Sequence, residues 1–262
     1  MIVNDIINYV NAIAPQSMQY DWDNTGLLCG DRNREVKKVL VALDPFENVC
    51  REAVDMGADV LLTHHPLIFR APKAITWDDP VGRCILMLAK HGICAVNAHT
   101  NLDCAPGGVN DVLAQTLGLT DIQVAQPMGQ DEQGRPYGLL RTGYVPKQEL
   151  KQFLSLVKEQ LGVPALRFVD GGKPVHKVAV GGGACGDEYA TALEAGCDTL
   201  VTADVKYNQF RDAYDLGINL IDAGHFYTEN PVVEVLARGL REKFPEITVE
   251  VSKTHTDVMA FF

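Results

Sequence analysis

The feature that most constrains this chain is that it repeats itself. Lys38-Val39-Leu40-Val41 through Ala53-Val54-Asp55-Met56-Gly57-Ala58-Asp59-Val60-Leu61-Leu62-Thr63 runs in parallel with Lys177-Val178-Ala179-Val180 through Ala192-Leu193-Glu194-Ala195-Gly196-Cys197-Asp198-Thr199-Leu200-Val201-Thr202. The match is gap-free and 139 positions apart (177 − 38). Any fold for this chain must supply the same local frame twice. Each copy reads strand, loop, helix, strand. The runs 39–42, 60–63, 178–181 and 199–202 have the unbroken apolar character of buried parallel strands. The amphipathic stretch between them stops at Gly57 or Gly196, the residue type that closes a helix. A further pair, 92–97 and 217–222, predicts a third strand in each half, after helices over 84–90 and 207–215.

The expected fold class is α/β, with two similar three-layer α/β lobes related by an internal pseudo-twofold. The boundaries read from the repeat are a first lobe over 1–125, a connector over 126–175 and a second lobe over 176–262. The connector carries a Gly/Pro-containing turn (130–138) and a helix over 147–161. With 262 residues, 47% hydrophobic and 22% charged, the chain has enough apolar surface for a sizeable core. In open parallel sheets ligands lie beyond the carboxyl ends of the strands, so the residues there pose the functional question.

His64 and His65 follow the run 60–63, His99 and Asp103 follow 93–97, and His225 and Glu229 follow the matching strand of the second copy. The last two pairs share a spacing of four. Imidazole nitrogens and carboxylate oxygens are the ligand set for Zn, Fe, Mn and similar ions, and carboxylates can bridge two ions about 3.5–4 Å apart. Four of the seven histidines sit at strand ends, which favours a metal site over isolated structural histidines. His91, His176 and His255 lack such a setting. Asp204 is the repeat counterpart of His65 and either faces the same crevice or caps a helix.

Gly181-Gly182-Gly183-Ala184-Cys185-Gly186 contains G-x-G-x-x-G after a strand. Bare amides there could hold phosphate, and a phosphate-bearing substrate is expected ahead of a nicotinamide dinucleotide, because Leu43-Asp44-Pro45 in the first copy has no glycine. Trp22-Asp23-Asn24-Thr25-Gly26-Leu27 reads as a polar turn, either a substrate-side loop or a lid on the core. Pro106–Asp111 reads as a turn into a helix capped by Asn110 or Asp111.

A net charge of −11 argues against general nucleic-acid binding. Met1–Asp5 shows no signal peptide, no apolar run approaches a bilayer span, and the seven scattered cysteines contain no C-x-x-C pair. Reduced thiols and a cytoplasmic location are the expectation.

The segments Trp22–Leu27, Thr63-His64-His65-Pro66-Leu67, His99–Asp103 with Ala105–Asn110, and Gly224–Glu229 together resemble the Nif-three-like family, whose bacterial members are labelled GTP cyclohydrolase I type 2 homologues. The likeness runs through nearly the whole chain in the right order. It implies two divalent metal ions per chain (Zn, Fe, Mn or Ni) on His64, His65, Asp103, His225 and Glu229, with His99 beside them in a supporting or proton-transfer role. It also implies a homohexameric ring, without the inserted extra domain of longer relatives. Asn208 stands where many relatives carry histidine, so no role of that histidine carries over. The function so implied is a metal-dependent hydrolase acting on a small molecule, such as the purine nucleotide GTP. The alternative is a non-catalytic metal-binding, metal-delivery or regulatory protein.

Overall fold

The structure is a computed structural model and describes residues 1–262. Its main strands are β1 (Gly26–Cys29), β2 (Lys38–Ala42), β3 (Val60–Thr63), β4 (Cys94–Asn97), β5 (Thr120–Val124), β6 (Gly129–Gln130), β7 (Pro136–Tyr137), β8 (Arg141–Gln148), β9 (Arg167–Val169), β10 (Val175–Val180), β11 (Thr199–Thr202), β12 (Asn219–Asp222) and β13 (Thr248–Val251). The α-helices are α1 (Val3–Ile13), α2 (Glu47–Asp55), α3 (Pro80–His91), α4 (Thr100–Cys104), α5 (Val109–Thr116), α6 (Leu150–Leu161), α7 (Tyr189–Glu194), α8 (Tyr207–Leu216), α9 (His225–Glu229) and α10 (Pro231–Lys243). None is long and apolar enough to cross a membrane. Two compact units result, residues 1–102 with 232–256 and residues 103–231 with 257–262.

The first unit holds a five-stranded sheet in the order β1-β4-β3-β2-β13. Neighbours among β13, β2, β3 and β4 are parallel, and β1 closes one edge antiparallel. Val60-Leu61-Leu62-Thr63 has no polar face, so it takes a central position with every residue buried. Cys50 and Ala53 of α2 and Leu88 of α3 cover Leu40 and Leu61. Helix α3 is tightly delimited: the Asp79 carboxylate accepts from Gly82 N at 2.7 Å, Pro80 opens the first turn, and Gly92 ends it at φ 69°.

The second unit holds a six-stranded sheet in the order β5-β8-β10-β11-β12-β9, whose centre β10-β11-β12 is parallel and whose flanks are antiparallel. The span 126–175, expected as a connector, supplies β8, α6 and β9 to this unit. Conversely, most of the tail expected in the second lobe returns to the first unit, where β13 pairs with β2. Backbone pairing decides both cases. An edge strand needs only one apolar face, and Thr248-Val249-Glu250-Val251 alternates accordingly, without the unbroken apolar run that marks a central strand.

The repeat persists at the level of single hydrogen bonds. Val39 faces Val60 and, 139 positions on, Val178 faces Thr199. Lys38 Nζ donates to Met56 O and Lys177 Nζ to Ala195 O, both at 2.5 Å. Asp59 accepts from Lys38 N at 3.0 Å, and Asp198 from Lys177 N at 2.8 Å. Gly57 and Gly196 turn out of their helices at φ 64° and 76°.

At the third strand the match slips. Thr63 faces Asn97 in β3–β4 and Thr202 faces Asp222 in β11–β12, so the counterpart of His99 is Gly224 and that of Thr100 is His225. The shared spacing of four in His99/Asp103 and His225/Glu229 is therefore offset by one residue. Helix α4 begins after His99, whereas α9 begins on His225 itself.

Candidate metal centre

In the first unit, the backbone ladder runs past the end of β3. His64 N donates to Ala42 O and His65 N to Leu43 O, at 3.4 and 2.9 Å. That pairing fixes the backbone of both residues, and Thr63 Oγ1 donating to His65 O at 2.7 Å tightens the bend. His99 follows β4. The ring centroids lie 4.9 Å apart for His64–His65, 5.3 Å for His64–His99 and 5.6 Å for His65–His99. One ligand nitrogen from each of the three lies within 4.8 Å of the others.

Each ring is held in one tautomer. His64 Nδ1 donates to Ala98 O at 2.9 Å, His65 Nδ1 to Asp44 Oδ1 at 2.6 Å, and His99 Nδ1 to Asp23 Oδ1 at 2.8 Å. Carbonyl and carboxylate oxygens only accept, so Nδ1 carries a proton and Nε2 is the nitrogen left to meet a metal ion or exchange a proton. This is the arrangement of metal-ligating imidazoles, whose other nitrogen donates to a carboxylate or carbonyl that sets ring orientation and basicity. The Asp23 side chain is itself buried. Burial raises its pKa, but hydrogen bonds from His99 and Thr100 and the nearby imidazole charge outweigh this and hold it near 2. It also accepts from Thr100 N at 3.0 Å and Thr100 Oγ1 at 2.5 Å, which anchors the start of α4.

In the second unit, His225 opens α9 and Glu229 lies one turn later on the same face. His225 Nδ1 meets Asp204 Oδ2 at 2.8 Å and Nε2 meets Glu229 Oε2 at 3.0 Å. Burial alone would lower the His225 pKa. The two carboxylates, by hydrogen bonding and charge, push it up to about 11. Asp204 adopts φ 51°, a left-handed conformation uncommon for a non-glycine residue. Asp103, on the last turn of α4, and Glu229 are both buried. Their charges, after burial itself, raise the thiol pKa of Cys185 well above its ordinary value.

Four of the six backbone amides in the glycine run are engaged within the protein. Gly182 N donates to Asn110 Oδ1 at 2.7 Å, Gly183 N to Thr228 Oγ1 at 3.0 Å, Gly181 N to Val201 O at 3.0 Å and Cys185 N to Thr202 Oγ1 at 3.1 Å. Amides committed to protein acceptors do not cradle a phosphate, and only the six-residue α7 follows. The glycines instead make room. A Cβ on Gly183 would lie 2.1 Å from Glu229 Oε1 and 3.1 Å from His225 Nε2, and one on Gly182 would lie 3.1 Å from Glu229 Cγ. The bare loop lets the carboxylate and imidazole approach each other.

Asn110, one of the two residues read as a cap alongside Asp111, is buried inside α5, which Gly108 precedes. It donates to Asp103 O at 3.2 Å and Leu139 O at 2.8 Å, joining Asp103 to the glycine loop. Arg141, also buried, pins the same turn through Asp111 at 2.8 Å and the carbonyls of Cys104 and Ala105 at 3.1 and 3.0 Å. Asp23, Asp44 and Asn110 were not read as site residues. Their partners lie 76, 21 and 72 positions away, beyond the reach of local pattern.

The structure thus gathers His64, His65 and His99 in one unit and His225 with Glu229 in the other. These are groups that could hold a metal ion. The donor set is imidazole and carboxylate with no thiolate, which suits divalent first-row cations.

The profile described as Duf34/NIF3 (NGG1p interacting factor 3) matches residues 1–258. A Clostridium perfringens protein named GTP cyclohydrolase 1 type 2 homolog is 36% identical over 264 residues and 100% of both chains. A Clostridium acetobutylicum protein of the same name is 33% identical over 91% of this chain and 89% of its own. A crystal structure of a Bacillus cereus protein related to NIF3 matches with a TM-score of 0.94 at 28% identity, covering 100% of this chain and 99% of that one.

Proposed function

The chain belongs to the Duf34/NIF3 family, and from that premise we propose that it is a dinuclear metal-dependent hydrolase. His64, His65, Asp103, His225 and Glu229 act together as the ligands of two divalent ions. The observation that carries this reading is the shared support of the imidazoles: Nδ1 of His64, His65 and His225 each donates to an oxygen, presenting Nε2. Two bound divalent ions would supply Lewis acidity, lowering the pKa of water toward neutrality and polarising the attacked centre.

The chain's own residues complete the chemistry. His99 Nε2 accepts the proton released when water adds to the substrate, while Asp23 holds Nδ1–H and stabilises the imidazolium that forms. The same proton then serves the leaving nitrogen or oxygen. His225, protonated on both nitrogens without metal, gives up the Nε2 proton to become a ligand. The relatives' names point to a purine nucleotide such as GTP as substrate, with water opening the five-membered ring, and bound divalent ions would offset the negative charge of the surrounding carboxylates toward such an anion.

Elemental analysis of protein purified without chelators tests this directly. The wild type is expected to carry about two ions per chain, as a two-metal hydrolytic site requires, and His64→Ala/His225→Ala to carry almost none. Metal-free wild type that does not reload with Zn, Mn or Fe would sink the reading. A fully loaded protein inert toward GTP and other nucleotides would favour a metal-binding protein without catalysis.

A further inference from the structure

Resting on the reading of His64, His65 and His99 as the active half-site of the first unit, we propose that Trp22 and Phe69 form a stacking wall for a planar heteroaromatic ring beside His99. Trp22 is 60% exposed and Phe69 46%, although large aromatic rings are among the side chains most strongly driven into cores. They are not scattered. Trp22 stacks on Tyr20 at 5.6 Å with the rings 10° from parallel, and Phe69 meets Trp22 edge-on at 5.9 Å. Both reach the imidazole of His99, at 6.3 and 6.0 Å between centroids.

The wall is built into the same loops that make the half-site. Phe69 follows His64 and His65 after β3, and Trp22 precedes Asp23, the partner of His99. Asn24 Nδ2 donates to Ile68 O at 2.6 Å and Asn97 Nδ2 to Asn24 O at 3.2 Å, which cross-links the two loops to each other and to β4. A lid on the core would bury the indole. A protein-binding hot spot would not require contact with the imidazole that handles the proton. A ring resting on this wall presents its edge to His99 Nε2, and the favoured occupant is therefore a flat, nitrogen-rich ring such as a purine.

Stacking contacts of this kind contribute roughly 1–3 kcal/mol per base, which is a factor of about 5 to 150 in affinity. The chain has two tryptophans, Trp22 and Trp77, so Trp77→Phe leaves Trp22 as the sole indole reporter. Fluorescence of this protein is titrated, with and without Zn, using guanosine, GTP and inorganic triphosphate as probes. Guanosine and GTP are expected to quench Trp22 and triphosphate alone to leave it unchanged. Replacing Phe69 by Ala in the same background should weaken guanosine binding about tenfold, with metal content unchanged; Phe69→Tyr should restore it. Equal binding of triphosphate and GTP, or no quenching by guanosine at millimolar concentration, overturns the wall whatever the metal content. Quenching that depends on protein concentration and not on guanosine also overturns it, assigning the surface to a second copy of the chain. Because the readout is binding, loss of hydrolysis alone would count against the proposed activity and leave the wall standing.

Discussion

The two units solve the same local problem with the same hydrogen bonds and then part company at their strand ends. Lys38 and Lys177 close their helices identically, and Asp59 and Asp198 brace the next strands identically. Beyond the frame, the first unit gathers three imidazoles, and the second a single imidazole with carboxylates. The supporting carboxylate also moves. Asp44, after β2, holds His65, while its counterpart 139 positions on is Gly183 (44 + 139). There a side chain would collide with Glu229, so support for His225 comes from Asp204, the counterpart of His65. A duplicated frame leaves strand-end residues free to diverge, and one change forces the next through contact.

Substitution at this pair of positions should give the largest contrast. Gly183→Ala adds a methyl where 2.1 Å separates it from Glu229 and where φ is +64°. Overpacking and left-handed strain together should cost roughly 2–4 kcal/mol in a urea midpoint and displace Glu229 from His225. Asp44→Ala removes a side chain without creating such a clash. A Gly183→Ala protein as stable as the wild type would show that the glycine run serves something other than close approach.

The supporting carboxylates come next. Asp44→Ala and Asp204→Ala should each weaken metal binding about 10- to 100-fold, as loss of an imidazole's partner typically does. Competition against a chelator of known affinity measures both. A strong loss in one and none in the other would mean that only one unit's histidine depends on its partner.

Smaller still is the effect at the helix ends. Gly57→Ala meets no atom within 4 Å, and Gly196→Ala meets only Lys177 Nζ at 3.9 Å. Backbone handedness is then the main cost, about 1 kcal/mol at each site. Chemical denaturation should give the two values within a few tenths of a kcal/mol, and a larger gap would end the claim that the frames are equivalent.

A final comparison concerns direction rather than size. In the first unit the Asp23 pKa is held near 2. Its contribution is present above the unfolded value near 3.8 and is lost as pH falls toward 2. In the metal-free second unit His225 is raised to about 11. Its contribution is full below about 6.5 and is lost as pH climbs toward 11. Asp23→Asn should flatten the acid limb and His225→Gln the alkaline limb of the metal-free stability profile. Both limbs changing in either variant would refute the separation.

What the sequence makes legible follows from how each element is buried. Strands β2, β3, β10 and β11 are central, need two apolar faces and show as unbroken runs. Strands β8 and β13 need only part of that signal. Arg141-Thr142-Gly143-Tyr144 reads as polar until the Arg141 guanidinium is seen buried against Asp111 and three carbonyls. The histidines stand out because they follow strands. Their carboxylate partners do not, since an aspartate in a turn has the same sequence appearance whether it caps a helix or holds an imidazole. The glycine run was open to the opposite error, because a loop cleared for Glu229 and a loop cleared for phosphate are spelled alike.

One feature of the architecture bears on how the molecule comes into being. The strand that completes the first sheet, β13, pairs with β2 from 210 positions away (248 − 38). At synthesis rates of about 5–20 residues per second, β2 leaves the ribosome roughly 10–40 s before its partner exists. All of the second unit's strands emerge within that interval. The nascent chain is therefore expected to carry a folded second half while its first half still presents an open sheet edge, the state in which association with other chains or with a chaperone is most favourable.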